Sequence, residues 1–289
     1  MRLKFLPLFC LILLSCSIVF AQGVDEPPKP RISTREEIKS EFDSVPCKNG
    51  DRLKAVKALF EKMGAKPEEI AVEKGRGVEN VVIRKTAANN SSEKIVVGAH
   101  YDKTSQGCGA IDNWTGVVAV AHIYRALKDV PLRKNVIFVA FGEEEKGLVG
   151  SLGMTDGIRK EQAGEYCAMI NIDTLGMSIP QTLDNVSSKT LIDLASALGR
   201  ELNIQVAHVR IDNASSDSAS FIKKKIPAVT IHTLSKDWQK ILHSGADQAS
   251  KINHESVYQG YRLALALLVK IDESDCQALR ESKEGKEKK

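Results

Sequence analysis

His100, Asp112, the run Glu143-Glu144-Glu145, Asp173 and His243 are the residues of this sequence whose types and placement could do chemistry together. Carboxylate and imidazole donors without thiolate suit zinc or a similar divalent ion. The chain has no Cys-x-x-Cys pair that would point to a zinc–thiolate site instead. Three adjacent anions repel one another, and a bound cation is one good reason to hold them there. Taken singly, each residue has a plainer account. Asp112 suits a helix N-cap and Asp173 a turn. A lone histidine at a strand end is commonly just hydrogen-bonded, and a triple glutamate is commonly a solvated turn. Their coincidence at one edge is what argues for chemistry.

That edge follows from the apolar runs in front of them. Residues 135–141 are β-branched and aromatic and stop at Gly142, which reads as a buried strand ending at the glutamates. Residues 95–99 run into His100-Tyr101-Asp102, and residues 166–172 run into Asp173. Further strands are predicted at 70–73, 79–85, 204–209 and 228–232. Helical periodicity marks 51–63, 112–128, 189–202, 216–225 and 255–271, and Thr34 could start a helix that ends near Pro46. Strands spaced by helices predict an α/β fold with a mixed, mostly parallel central sheet covered on both faces. Such open sheets place their ligand sites beyond the carboxyl ends of the strands. No internal repeat is visible, and the pattern reads as one domain.

The motifs His100-Tyr101-Asp102, Ile111-Asp112-Asn113-Trp114-Thr115-Gly116, Glu144-Glu145-Lys146-Gly147-Leu148-Val149-Gly150-Ser151, Asn171-Ile172-Asp173 and His243-Ser244-Gly245-Ala246-Asp247 resemble the co-catalytic di-zinc aminopeptidases. They occur in that family's order, between about residues 95 and 271. The resemblance implies a zinc exopeptidase fold of the phosphorylase/hydrolase-like kind and two zinc ions per chain. It implies that Asp112 bridges the metals, that His100 and Asp173 complete one zinc, and that Glu145 and His243 complete the other. Gly147 anchors the register, so Glu144 is the implied general base and Glu143 is extra. Asp102 suits a partner that fixes the His100 ring. Asp217 matches a segment near the family's site, although Ser218 stands where many members have histidine. Ile226 stands where some carry tyrosine. His232 and His254 compete with His243, but only His243 has aspartate four places on. His122 and His208 read as structural.

The implied activity is removal of N-terminal residues from peptides with a free N-terminus. One rival shares the fold: glutaminyl cyclases use the same ligand set with a single zinc to cyclise N-terminal glutamine. A second rival is a non-catalytic receptor of this fold, but such relatives tend to lose ligands and this chain keeps all five.

The remaining composition bounds location and partners. With 43% hydrophobic and 27% charged residues the chain reads as globular, and a net charge of +4 is too small to argue for nucleic acid. Arg2 and Lys4 precede the apolar stretch 5–20, a leader that fits cleavage after Ala21. Leu13-Leu14-Ser15-Cys16 also resembles a lipoprotein box, so a lipid anchor at Cys16 stays open, with no membrane span in either case. Both readings make the protein secreted or periplasmic. The expected layout is a signal peptide at 1–21, a linker and N-terminal helix at 22–46, a catalytic domain at 47–272, and a charged disordered tail at 273–289. Cys47, Cys108, Cys167 and Cys276 remain for an oxidising compartment. Cys167 begins a strand about 20 Å from the edge that Cys108 adjoins, at ~3.3 Å per residue, so those two should not pair. Cys47 and Cys276 flank the domain, and the expectation is a Cys47–Cys276 bridge with the other two free.

Overall fold

The computed structural model describes residues 28–280. The leader, Cys16 and residues 281–289 lie outside them. Eight strands form one sheet in the order β1-β2-β4-β3-β5-β8-β6-β7. They are β1 (Ile70–Gly75), β2 (Val78–Lys85), β3 (Lys94–His100), β4 (Asn135–Phe141), β5 (Tyr166–Ile172), β6 (Gln181–Leu183), β7 (Ala207–Val209) and β8 (Ala228–His232). The central strands β4, β3, β5 and β8 pair in parallel, and β6 pairs in parallel with β7. The β1–β2, β2–β4 and β6–β8 pairs are antiparallel. The expected mixed, mostly parallel sheet is therefore the one observed.

The central strands are apolar at consecutive positions because both sheet faces are covered. Ile95, Val97, Val136, Phe138 and Ile170 point to one side, where α2 (Asn49–Lys62), α3 (Thr115–Leu127), α5 (Lys189–Leu202) and α7 (His254–Glu273) pack. The short α1 (Arg35–Lys39), capped by Thr34, joins this layer against α7. Val96, Ile137, Val139, Phe141 and Met169 point to the other side, against α4 (Val149–Asp156) and α6 (Ser218–Lys223). Fully buried side chains such as Phe138 and Ile95 each contribute roughly 1.5–3 kcal/mol.

α7 runs back across the sheet. At its start the Asn253 amide donates to the Gly176 carbonyl beyond β5; near its end Asp272 accepts from the Arg133 and Lys134 amides, just before β4. This return decides the disulfides, and the expected Cys47–Cys276 bridge is wrong. Cys276, past the end of α7, reaches the amino-terminal edge where β5 begins and bonds to Cys167 (Cα–Cα 4.6 Å). Cys47, just before α2, lies at the opposite edge and bonds to Cys108 (Cα–Cα 4.2 Å). Cys47 and Cys276 thus lie at opposite edges of the sheet rather than together. Cys276 also opens a last helix, α8 (Cys276–Arg280), within the span expected to be tail; Arg280 donates to the Ala163 carbonyl there. Among the described residues no helix is long and apolar enough to cross a membrane.

Candidate metal centre

The parallel strands β3, β4 and β5 finish at the same edge, so the residues that follow them converge. His100 ends β3, Glu144 and Glu145 follow the turn after β4, and Asp173 follows β5. His100 Nε2 lies 3.2 Å from Asp112 Oδ1 and 3.5 Å from Asp173 Oδ1. His243 Nε2 lies 3.1 Å from Asp112 Oδ2 and 3.1 Å from Glu145 Oε2. Two donor groups result, His100–Asp112–Asp173 and Asp112–Glu145–His243, and they share Asp112. Donors on one tetrahedral zinc lie about 3.4 Å apart, given metal–ligand lengths near 2.1 Å. The observed spacings suit that geometry. Glu145 Oε1 is buried without a hydrogen-bond partner, a further acceptor facing no donor.

Asp112 is not the helix N-cap its position suggests. Its backbone (φ −113°, ψ 95°) lies in a kinked turn, and regular α3 begins only at Thr115. Asn113 does the capping instead: its Oδ1 accepts from the Gly116 and Thr174 amides, and its Nδ2 donates to the Ile172 carbonyl. Asn113 thereby joins the end of β5 to the start of α3, and the Asp112 carboxylate is left to point between two imidazoles.

Other side chains hold the loops. Asp102 accepts from the Glu144 amide (2.9 Å) and the Glu145 amide (3.2 Å), and it lies 3.4 Å from His100 Nδ1, short of a well-formed hydrogen bond. Asp247, four residues past His243, is buried and accepts from the Ile111 amide (2.7 Å) and the Asp112 amide (3.2 Å). That pairing gives the His243–Asp247 spacing a physical meaning which the sequence reading lacked. Ser216 donates to Asp173. Asp217 is wholly buried, with neither carboxylate oxygen in a well-formed hydrogen bond, and burial pushes its carboxyl up to about 7.

The crowding of acids sets the electrostatics. Burial, reinforced by the Asp173, Asp217 and Asp112 charges against the pull of His100, holds the Glu144 carboxyl well above the usual carboxylate range. Hydrogen bonds to Asp112 and Glu145 raise His243 to about 10. Burial opposes a charge on His100, yet Glu144, Asp102, Asp112 and Asp173 together raise its affinity for a proton. The cluster as a whole attracts positive charge. Glu143 stands apart: its Oε1 accepts from Lys146 Nζ (2.7 Å) at the surface.

The competing histidines have other partners. His232 lines the same cleft, and its Nδ1 accepts from the Leu234 amide. His254 stacks on Phe42, His122 contacts Ser33, and His208 sits between Thr182 and Ser196. Ser218 donates to the Val186 carbonyl, and Ile226 is packed in the core. The cleft, about 270 Å³, is lined by these acids and imidazoles together with Leu183, Ile211, Leu234, Trp238 and Leu242.

Comparison with known proteins gives the family and the fold. The sequence matches peptidase family M28 over residues 80–268. Aminopeptidase YwaD of Bacillus subtilis strain 168 is 32% identical over 160 residues, which are 50% of this chain and 35% of that protein. This chain thus spans about a third of that relative's length. Among solved structures, the LapA aminopeptidase of Legionella pneumophila superposes with a TM-score of 0.70 at 19% identity, covering 87% of this chain and 78% of that one. An Acidobacteriales bacterium glutaminyl cyclase superposes with a TM-score of 0.71 at 15% identity, covering 88% of this chain and 98% of that one. At such identities the two structures speak for the fold alone.

Proposed function

Because this chain belongs to peptidase family M28, we propose that it is an exported zinc aminopeptidase with two zinc ions per chain. The observation that carries the two-ion reading is the division of Asp112, whose two oxygens lie 3.2 and 3.1 Å from different imidazoles. His100 and Asp173 would hold one ion with Asp112, and Glu145 and His243 would hold the other with it. Bound zinc acidifies water to a pKa of about 7 and polarises a carbonyl.

The protein's own groups do the rest. Glu144 takes a proton from the attacking water and passes it to the leaving amine. Asp102 orients His100 and, through the two amides it accepts from, the Glu144-Glu145 pair. The apolar wall of Leu183, Ile211, Leu234, Trp238 and Leu242 receives an apolar first side chain, while the peptide's free N-terminus meets the acidic side. Two disulfides fit an oxidising compartment. Cleavage after Ala21 and lipidation at Cys16 are both exported outcomes.

The second reading is a single-zinc glutaminyl cyclase, whose fold this chain shares. One experiment separates them. Purified protein is loaded with zinc, its metal content is measured, and it is given a Leu-peptide and a Gln-peptide side by side. Two zinc ions and release of free leucine are expected. One zinc, with cyclised glutamine and an intact Leu-peptide, would overturn the aminopeptidase reading.

A further inference from the structure

Arg52 on α2 lies outside the residues matched to the family, and it heads the fully buried side chains by volume, at 0% exposed. Its guanidinium makes five hydrogen bonds, all to backbone carbonyls. Nε donates to Pro46 (2.9 Å), Nη1 to Tyr101 (2.8 Å) and more weakly to Asp102 (3.4 Å), and Nη2 to Cys108 and Gly109 (2.7 Å each). Tyr101 and Asp102 directly follow His100; Cys108 and Gly109 lie just before Asp112. One planar group therefore bridges the segments that carry His100 and Asp112, two of the three residues of the first donor group.

The surroundings are built for this contact. Gly109 is in the left-handed region (φ 61°), and a Cβ there would sit 2.8 Å from Arg52 Nη2, so a side chain would displace the guanidinium. Asn49, at the start of the same helix, pairs reciprocally with the Lys103 backbone, donating to its carbonyl (2.8 Å) and accepting from its amide (3.0 Å). Cys47, two residues earlier, is bonded to Cys108. The end of α2 thus grips residues 101–109 at three points. No hydrogen-bonded carboxylate neutralises the guanidinium; burial lowers its pKa to about 10, offset by the more distant Asp247, Asp102, Asp112 and Glu145. It stays charged at neutral pH, with its field directed at the site's acids.

We propose that Arg52 is a positioning residue of the metal centre, setting the separation between the His100–Asp102 and Cys108–Asp112 segments at which His100 and Asp112 can share an ion. Lysine cannot replace it, because a flexible ammonium with three donors cannot reach five carbonyls in a fixed plane. The inference rests on the zinc reading above.

The test measures zinc affinity by competition with a chromogenic chelator, on proteins shown to be folded by circular dichroism. Arg52→Lys is expected to bind zinc about 10–100-fold more weakly than wild type, as for other residues that support ligands without touching metal. Val56→Ala, a buried truncation on the same helix, should lower the melting temperature yet leave zinc affinity unchanged. Exposed Asn49→Ala should weaken zinc by about threefold to tenfold, the worth of its lost hydrogen bonds, and it decides the matter if Arg52→Lys does not fold. Unchanged affinity in Arg52→Lys, or an equal loss in Val56→Ala, overturns the positioning role while the zinc reading stands. A wild-type protein that binds no zinc overturns both.

Discussion

Substituting the three adjacent glutamates one at a time tests the register of the site. Glu144→Gln removes the proposed proton carrier and leaves every residue of both donor groups in place. Turnover should fall by ~10²–10⁴, which is about 2.7–5.4 kcal/mol of transition-state stabilisation. Zinc content should stay at the wild-type level. Glu145→Gln acts differently, because Glu145 Oε2 is one of the three donors of the second group, 3.1 Å from His243 Nε2. An amide carries no charge to offset a cation, so affinity at that position should drop by more than the ~10–100-fold expected when a merely supporting contact is lost. Glu143→Gln loses only the exposed surface pair with Lys146 and should keep both zinc and turnover. The assay is metal analysis of the three purified variants beside kcat on a leucyl substrate. Loss of zinc in Glu144→Gln, with Glu145→Gln retaining both zinc and activity, would refute the assignment of base and ligand.

Three further outcomes follow from the packing. Gly150→Ala should destabilise by about 1–3 kcal/mol, read as a lower urea midpoint, because a Cβ there collides with Asn80 and the Gly142 carbonyl under the glutamate turn. Burial holds the His122 pKa down at about 3 against 6.5 unfolded, so the unfolded chain binds a proton that the folded chain refuses. Stability should therefore fall with decreasing pH from about 6.5 to 3, by up to about 1.4 kcal/mol per pH unit; denaturant titrations of His122→Gln should show a flatter profile there. The Cys167→Ser/Cys276→Ser pair closes off a bridge with a sequence separation of 109, worth about 4–5 kcal/mol on the entropic model. Because that bridge lies at the far edge of the sheet, zinc content should be unchanged, and its loss would contradict the placement.

The parallel core was legible because β3, β4, β5 and β8 are buried on both faces and so read as unbroken apolar runs. The edges were less so. β6 has three residues, Gln181–Leu183, too few to show alternation. The stretch 204–209, read as one strand, pairs only at Ala207–Val209. α4 passed unread because glycine and polar residues (Gly150, Ser151, Gly153, Thr155) occupy much of it, and the motif drew attention to its chemistry rather than its helix. The five proposed ligands were found by their order along the chain, and all five converge. Arg52 left no trace in the sequence, since an arginine in an amphipathic helix ordinarily faces water. Cysteine pairing failed for a similar reason: it depends on which edge of the sheet each cysteine reaches, and α7 crosses that distance unannounced.

The shared position of Asp112 also orders events in folding. The donor groups draw on residues from His100 to His243, delivered by three strand ends, a kinked turn and a loop that Asp247 docks onto Ile111. Each of these contacts closes a long stretch of chain before it yields any stabilisation. The constellation is therefore complete only once β3, β4 and β5 are in register and the last loop has docked. An ion that binds only the completed constellation adds nothing to the transition state for folding; it leaves the folding rate alone and slows unfolding.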